Sequence, residues 1–289
     1  MGQDSKIEWT HHTFNPWWGC VRVSKGCKYC YADTWARRVG LDLWGPKADR
    51  RFFSDAHWKE PLKWNREAEL EKQRRRVFCA SMADVFENRR DLDPWRERLW
   101  PIIEATPMLD WLLLTKRPEN IASLAPWKGD WPQNVWLGTT AENQHWADKR
   151  LDILMQHRAA VRFASCEPLL GSLDLSRWLV NPFIGRKERR GLNWVIAGGE
   201  SGAKARPMVP LWAQQIRDDC KAAAVPFHFK QWGHWVPEEI AGPGKKQKVQ
   251  VFNAKGEPIT LIGMGKSAAG RALDGEFWDG VPDQEAIGA

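Results

Sequence analysis

Six short apolar or β-branched runs recur along the chain, each passing through a polar turn into a stretch of helical periodicity. That alternation restricts the fold to βα units around a parallel sheet. The runs cover residues 77–81, 111–115, 135–139, 161–165, 194–198 and 226–230. They follow one another at roughly 25 to 35 residues, which leaves room for one helix between strands. No longer period repeats, so a solenoid is not expected. The pattern predicts an α/β fold, a partial or full parallel β/α barrel over residues 1–235 that includes an N-terminal cysteine loop. Residues 236–289 are expected to add a C-terminal loop, a hairpin from Val249 and a short helix near 268–273, packed on the barrel. A basic helical stretch is expected over 67–76, an exposed insertion at 186–190 and a loop or lid at 242–246.

Polar residues stand where each run gives way to its loop: Ser81 and Asp84, Thr115 and Lys116, Thr140 with Glu142 and Asn143, Ser165 with Glu167, Gly198-Gly199-Glu200, and Lys230-Gln231. In a β/α barrel these loops form one rim. Any one of the residues alone reads as a helix cap, because Ser, Thr, Asp and Asn satisfy exposed helix N–H groups. Six in series, with Lys116, Glu142, Glu167, Glu200 and Lys230 unsuited to capping, point to a site.

Cys20-x6-Cys27-x2-Cys30 carries the most chemistry, since thiolates this close in sequence can face one metal centre from a single loop. Six cysteines in 289 residues are too few for a disulfide scaffold. A closed zinc site or a simple electron-transfer cluster takes four ligands, whereas three thiolates leave one iron of a 4Fe-4S cluster open. S-adenosylmethionine chelated there through its amino and carboxylate groups would be set for reductive cleavage to a carbon radical. The alternative is a zinc knuckle with His11, His12 or His57 as fourth ligand. Cys79, Cys166 and Cys220 read as buried small hydrophobes. Gly265-Lys266-Ser267 is not a phosphate loop, because Thr260 stands where its first glycine would be.

Several stretches together carry a family resemblance: residues 5–10 with Phe14-Asn15-Pro16, Gly19-Cys20 through Cys30-Tyr31-Ala32, 81–86, Leu114-Thr115-Lys116-Arg117-Pro118-Glu119-Asn120, 134–139 with Glu142-Asn143, 162–165 with 167–171, 194–202, 229–233 and 265–282. In these the chain resembles the radical S-adenosylmethionine superfamily. It is more closely similar to a phage-associated three-cysteine family of unknown function often encoded beside a three-Cys-motif partner protein. The resemblance implies a partial β/α barrel, a cluster loop after the first strand and S-adenosylmethionine lying across the strand ends. It departs from the superfamily in two places: the first cysteine gap is six residues rather than three, and Gly198-Gly199-Glu200 follows a late strand rather than the second. The spacing offers Cys20, Cys27 and Cys30 as ligands of the cluster, and the strand-end positions offer Ser81, Thr115, Glu142, Asn143, Ser165, Gly198, Gly199 and Glu200 for the cofactor. Lys116 and Glu167 are the catalytic candidates, and Arg117 is read beside Lys116 as a partner of a carboxylate or phosphate. A salt-bridged ring that only stabilises the rim is the competing reading.

A formal net charge of +7, arginines at 37–38, 50–51, 74–76 and 89–90, and 20 Trp make a nucleic acid or nucleotide the first substrate class to test. Most of the Trp residues are expected to fill the core. The leading expectation is a radical S-adenosylmethionine enzyme served by an external reductant. A zinc-bearing DNA- or RNA-binding protein and a subunit that acts only with a partner protein are the alternatives. No apolar run approaches the roughly 20 residues of a membrane span, and the N-terminal residues resemble neither a secretory leader nor a myristoylation site. A cytoplasmic location is expected.

Overall fold

The computed structural model describes residues 2–179, 191–241 and 247–283, which fall into two compact units. The first takes residues 2–139, 152–162 and 283; the second takes the described part of 140–151 and 163–282. The stretches 186–190 and 242–246 lie outside the described residues.

In the first unit β1 (His12–Thr13), β2 (Arg75–Cys79), β3 (Leu109–Thr115) and β4 (Val135–Thr140) pair in that order, all parallel. Val77 lies opposite His12 on one side and Trp111 on the other, and Trp111 opposite Val135. Every residue of β4 and all but one of β3 are buried, as expected where both faces of a parallel sheet are covered. Helix α1 (Tyr31–Arg38) follows the cysteine loop, and α2 (Asp55–Glu71), α3 (Asp93–Glu104) and the short α4 (Ile121–Leu124) complete the unit. Phe14 sits at the centre of an aromatic nest, edge-on to Trp58 at 5.4 Å and to Trp111 at 5.7 Å. Such pairs add to the area they bury because ring edges and faces carry opposite partial charge.

The basic helix expected over 67–76 is corrected: α2 ends at Glu71, and Lys72 turns into the left-handed region at φ 53°. Arg75 and Arg76 belong to β2, where they register against Leu109 and Asp110. Arg74 donates to Asp110 at 3.0 Å, Arg75 pairs with Glu71, and Arg76 donates to the Trp9 carbonyl at 3.0 Å.

In the second unit the later part of β5 (Val161–Cys166), β6 (Trp194–Gly198) and β7 (Phe227–Gln231) are again parallel, with a bulge at Ala197/Gly198. Helix α5 (Gln144–Leu154) begins here and α6 (Pro210–Ala222) lies between β6 and β7 in sequence. Strand order from β1 to β7 is the order of the sequence. That is the singly wound topology of a β/α barrel, without the reversal of a doubly wound sheet.

The expected C-terminal hairpin is β9 (Lys248–Phe252) with β10 (Pro258–Gly263), joined by β8 (Trp235–Pro237) on the other edge of β10. A single turn, α7 (Glu238–Ala241), lies between β8 and β9. The helix expected near 268–273 is shorter and earlier, α8 (Lys266–Ala269), because Gly270 at φ 69° leads into a small hairpin of β11 (Ala272–Leu273) and β12 (Glu276–Phe277). This tail lies along β7: Phe229 donates to the Trp278 carbonyl and Gly280 to that of Phe227, both at 2.9 Å. It thereby covers hydrogen-bonding groups that would otherwise form an open edge.

Of the 20 Trp, Trp35 alone is exposed, at 45%. No helix among the described residues is long and apolar enough to cross a membrane.

Candidate functional site

The cysteine loop leaves the aromatic nest through Gly19, at φ 112°. A Cβ at this position would stand 2.6 Å from the Leu43 carbonyl and 2.7 Å from the Arg50 side chain, so only glycine passes there. Cys20, Cys27 and Cys30 are all half-buried and free. Burial pushes the Cys20 thiol up to about 12, against the pull of Arg117. At Cys27 burial works against ionisation, but the Lys116 charge and hydrogen bonds from the Val23 and Ser24 backbone outweigh it and hold the thiol below its usual value. Cys30 occupies the N-cap position of α1; burial raises its thiol, opposed by the Asp33 and Ala32 backbone and by Lys116. A helix N-terminus and nearby cations both favour thiolate.

Lys116 and Arg117 come from the loop after β3, and Asp84 organises that loop. Its carboxylate accepts from the Thr115 hydroxyl at 2.8 Å, the Lys116 amide at 3.1 Å, the Arg117 guanidinium at 2.8 Å and the Phe86 amide at 3.0 Å. Thr115 also accepts from the Arg117 amide at 2.9 Å. Ser81 lies at the end of β2, its hydroxyl 3.1 Å from the Asn15 amide group and its carbonyl accepting from Tyr31 at 2.7 Å. The structure thus gathers Cys20, Cys27, Cys30, Ser81, Thr115 and Lys116 in one unit.

Among the described residues no three His, Cys, Asp or Glu side chains stand close enough to hold one metal ion. A single zinc requires its donors within about 2.0–2.3 Å of one point. The histidines expected as a fourth zinc ligand have other partners. His11 Nδ1 accepts from the Arg76 amide at 2.8 Å, His12 Nδ1 from the Asp4 amide at 3.3 Å, and His57 bonds the Asn15 carbonyl at 3.0 Å and Glu60 at 3.2 Å. A cluster of several irons spreads its thiolates further apart, and three thiols on a loop backed by two cations fit such a group.

The second unit holds the remaining strand-end residues. Glu142 is fully buried and pairs with Arg150 at 2.9 Å, while Asn143 caps α5 by accepting from the Trp146 amide at 3.2 Å. Lys230 lies 3.2 Å from Glu167, and Ser165 3.5 Å from the same carboxylate. A Cβ on Gly198 would stand 2.8 Å from Glu167, and one on Gly199 2.0 Å from the Trp232 carbonyl. Gly199 therefore lets the chain after β7 lie directly against the end of β6, and Gly198 leaves room for the Glu167 carboxylate. Buried Glu200 is held by Arg206, which reaches one oxygen at 2.5 Å and the other at 2.8 Å. Lys230, the partner of Glu167, is one of the strand-end residues that the sequence marks. Nothing in the sequence marks Arg150 and Arg206, and no spacing rule identifies Arg206, six residues beyond Glu200 on a loop.

In backbone the chain is similar to spore photoproduct lyase complexed with dinucleoside spore photoproduct, at 12% identity over 91% of this chain and 71% of that one, with a TM-score of 0.47. A doubly substituted form of that lyase, with bound AdoMet and the same photoproduct, matches at 11% identity and a TM-score of 0.46 over 91% and 71%. No curated protein matches in sequence. The family model for a protein of unknown function, DUF5131, matches residues 4–282, and the chain belongs to that family.

Proposed function

We propose that this chain is an iron-sulfur enzyme of the radical S-adenosylmethionine kind, with Cys20, Cys27 and Cys30 as the ligands of a 4Fe-4S cluster. The observation that carries the reading is the pairing of a three-thiol loop with two cations from the end of β3: the Lys116 charge acts on Cys27 and Cys30, and Arg117 lies 3.6 Å from Cys20. Three thiolates bring a concentrated negative charge that such cations offset. Bound there, the cluster would supply one electron to S-adenosylmethionine, taken from an external reductant.

Lys116 is the catalytic candidate of the first unit, with Ser81 and Thr115 on the cofactor side. In the second unit the proposed roles are catalysis for Glu167 and cofactor binding for Glu142, Asn143, Ser165, Gly198, Gly199 and Glu200. The substrate class we propose is a nucleic acid or nucleotide, supported by the net charge of +7 and by exposed guanidinium groups at Arg37, Arg38, Arg51 and Arg90. Arg51 lies over the Trp18 ring at 4.6 Å, an arrangement suited to base and phosphate contact. A partner protein of three-Cys-motif type and a cytoplasmic, reducing location belong to the same reading, since reduced thiols bind iron.

The test is iron and acid-labile sulfide analysis on protein purified without oxygen, followed by reduction with S-adenosylmethionine and assay for 5′-deoxyadenosine. Iron and sulfide that disappear on Cys20→Ala, Cys27→Ala or Cys30→Ala, with 5′-deoxyadenosine formed by the unaltered chain, are the expected results. Stoichiometric zinc without cofactor cleavage would overturn the proposal. Nucleic-acid binding that weakens steeply with salt supports the substrate class, and no binding at low salt removes it.

A further inference from the structure

We infer that Arg117, aimed by Asp84, is a positioning residue that hydrogen-bonds the cluster through Cys20 and raises its reduction potential; this rests on the cluster reading above. The sequence offers Arg117 as a partner of a carboxylate or phosphate. Its side chain is 8% exposed, and the carboxylate it meets is that of Asp84 in the same chain. One terminal nitrogen lies 2.8 Å from Asp84 Oδ2 and 3.6 Å from Cys20 Sγ, and the other donates to the Val21 carbonyl at 2.6 Å. A planar guanidinium can hold a carboxylate, a sulfur and a carbonyl at once because its donors form a rigid fork, and it stays charged throughout.

Asp84 fixes the direction of that fork. Its two oxygens accept from Thr115, Lys116, Arg117 and Phe86, which ties the loops after β2 and β3 together and leaves the carboxylate only 7% exposed. Arg117 cannot swing outward without leaving that buried acid unpaired, a costly state. The two cations also divide the thiols between them: Lys116 acts on Cys27 and Cys30 through its charge, whereas Cys20 has a directed N–H donor. Reduction adds one electron and one negative charge to the cluster. Donors and positive charge at a ligating sulfur stabilise the reduced form more than the oxidised one, and so raise the potential.

The experiment compares the full-length unaltered chain with Arg117→Met and Arg117→Lys, all loaded without oxygen. Iron and sulfide content are measured first, then the midpoint potential by titration followed with electron paramagnetic resonance. Arg117→Met is expected to keep iron and sulfide while reduction becomes at least tenfold less favourable, about 59 mV for one electron. Arg117→Lys, which keeps the charge and loses the fork, is expected between the two. Loaded variants with the potential and resonance spectrum of the unaltered chain would overturn the inference and leave the cluster reading standing. An unaltered chain that binds no iron and sulfide would instead overturn the cluster reading. If Arg117→Met does not fold or load, Arg117→Lys decides alone: a lowered potential supports the inference, and an unchanged one refutes it.

Discussion

Arg50 meets Glu87 at 2.6 Å with exposures of 0% and 5%, so this ion pair is withdrawn from solvent almost completely. Arg50 also donates to the carbonyls of Ala48 at 2.8 Å and Leu43 at 3.2 Å, and its stem is what a side chain at position 19 would strike. The pair therefore backs the cysteine loop. Among the described residues the second oxygen of Glu87 has no hydrogen-bond partner, which makes the carboxylate dependent on Arg50. Removing one member of a buried pair costs about 3–5 kcal/mol, because the other charge is left uncompensated. Arg50→Met should lose that much in urea unfolding, and Glu87→Gln, which keeps an acceptor, should lose less. A loss under ~1 kcal/mol for Arg50→Met would show that solvent reaches the pair.

His11 links stability to pH. Burial, reinforced by the charges of Arg76 and Arg75, lowers its folded value from 6.5 to about 4. A base that is harder to protonate when folded gives stability that is complete above pH 6.5 and is lost as pH falls from 6.5 towards 4. The ring is only half-buried, so screening limits the effect to roughly 1–2 kcal/mol. His11→Asn should flatten the stability profile across that window. A profile as steep as that of the unaltered chain would assign the acid lability to other groups, of which His12 is lowered in the same direction by burial.

The parallel strands were legible because β3, β4, β5 and β6 are buried almost throughout and read as short, largely apolar or β-branched runs. β1 was not, because two residues, His12 and Thr13, carry no periodicity and are recruited by pairing with β2. The arginines at 74–76 suit a helix by propensity, yet register against β3 takes Arg75 and Arg76 into a strand. Tertiary pairing outweighs a few tenths of a kcal/mol of helix preference per residue, on the order of what propensity supplies. In the candidate site the three cysteines stand out in the sequence by their spacing. The directions of Arg117 and Arg206 do not, since a guanidinium reaches several ångströms and only the loop path decides which acid it meets.

Gly199 lies under the backbone that follows β7, where an added methyl would stand 2.0 Å from the Trp232 carbonyl. A rigid main chain cannot yield as a side chain can, so Gly199→Ala should cost about 3 kcal/mol or more, the upper range of overpacking. Gly129→Ala, where nothing lies within 4 Å and the backbone is unconstrained, should change stability by no more than ~0.5 kcal/mol. Equal melting temperatures for the two variants would mean that the end of β6 and the Trp232 backbone are not packed as described.

Glu142 offers a way to separate a structural acid from a ligand. It is 0% exposed and faces Arg150 at 2.9 Å; Arg150 in turn donates to the Thr140 carbonyl at 2.9 Å and covers the Trp146 ring at 4.0 Å. Arg150 sits on α5, so the pair ties the end of β4 to the helix that follows it. If this contact is what position 142 supplies, Glu142→Ala and Arg150→Ala should each destabilise by about 3–5 kcal/mol, and the double variant should cost much less than their sum. Under that outcome any loss of cofactor binding in Glu142→Ala tracks unfolding and is recovered at lower temperature. Additive losses would show that the two residues act independently. A stable Glu142→Ala that no longer binds S-adenosylmethionine would make Glu142 a direct ligand.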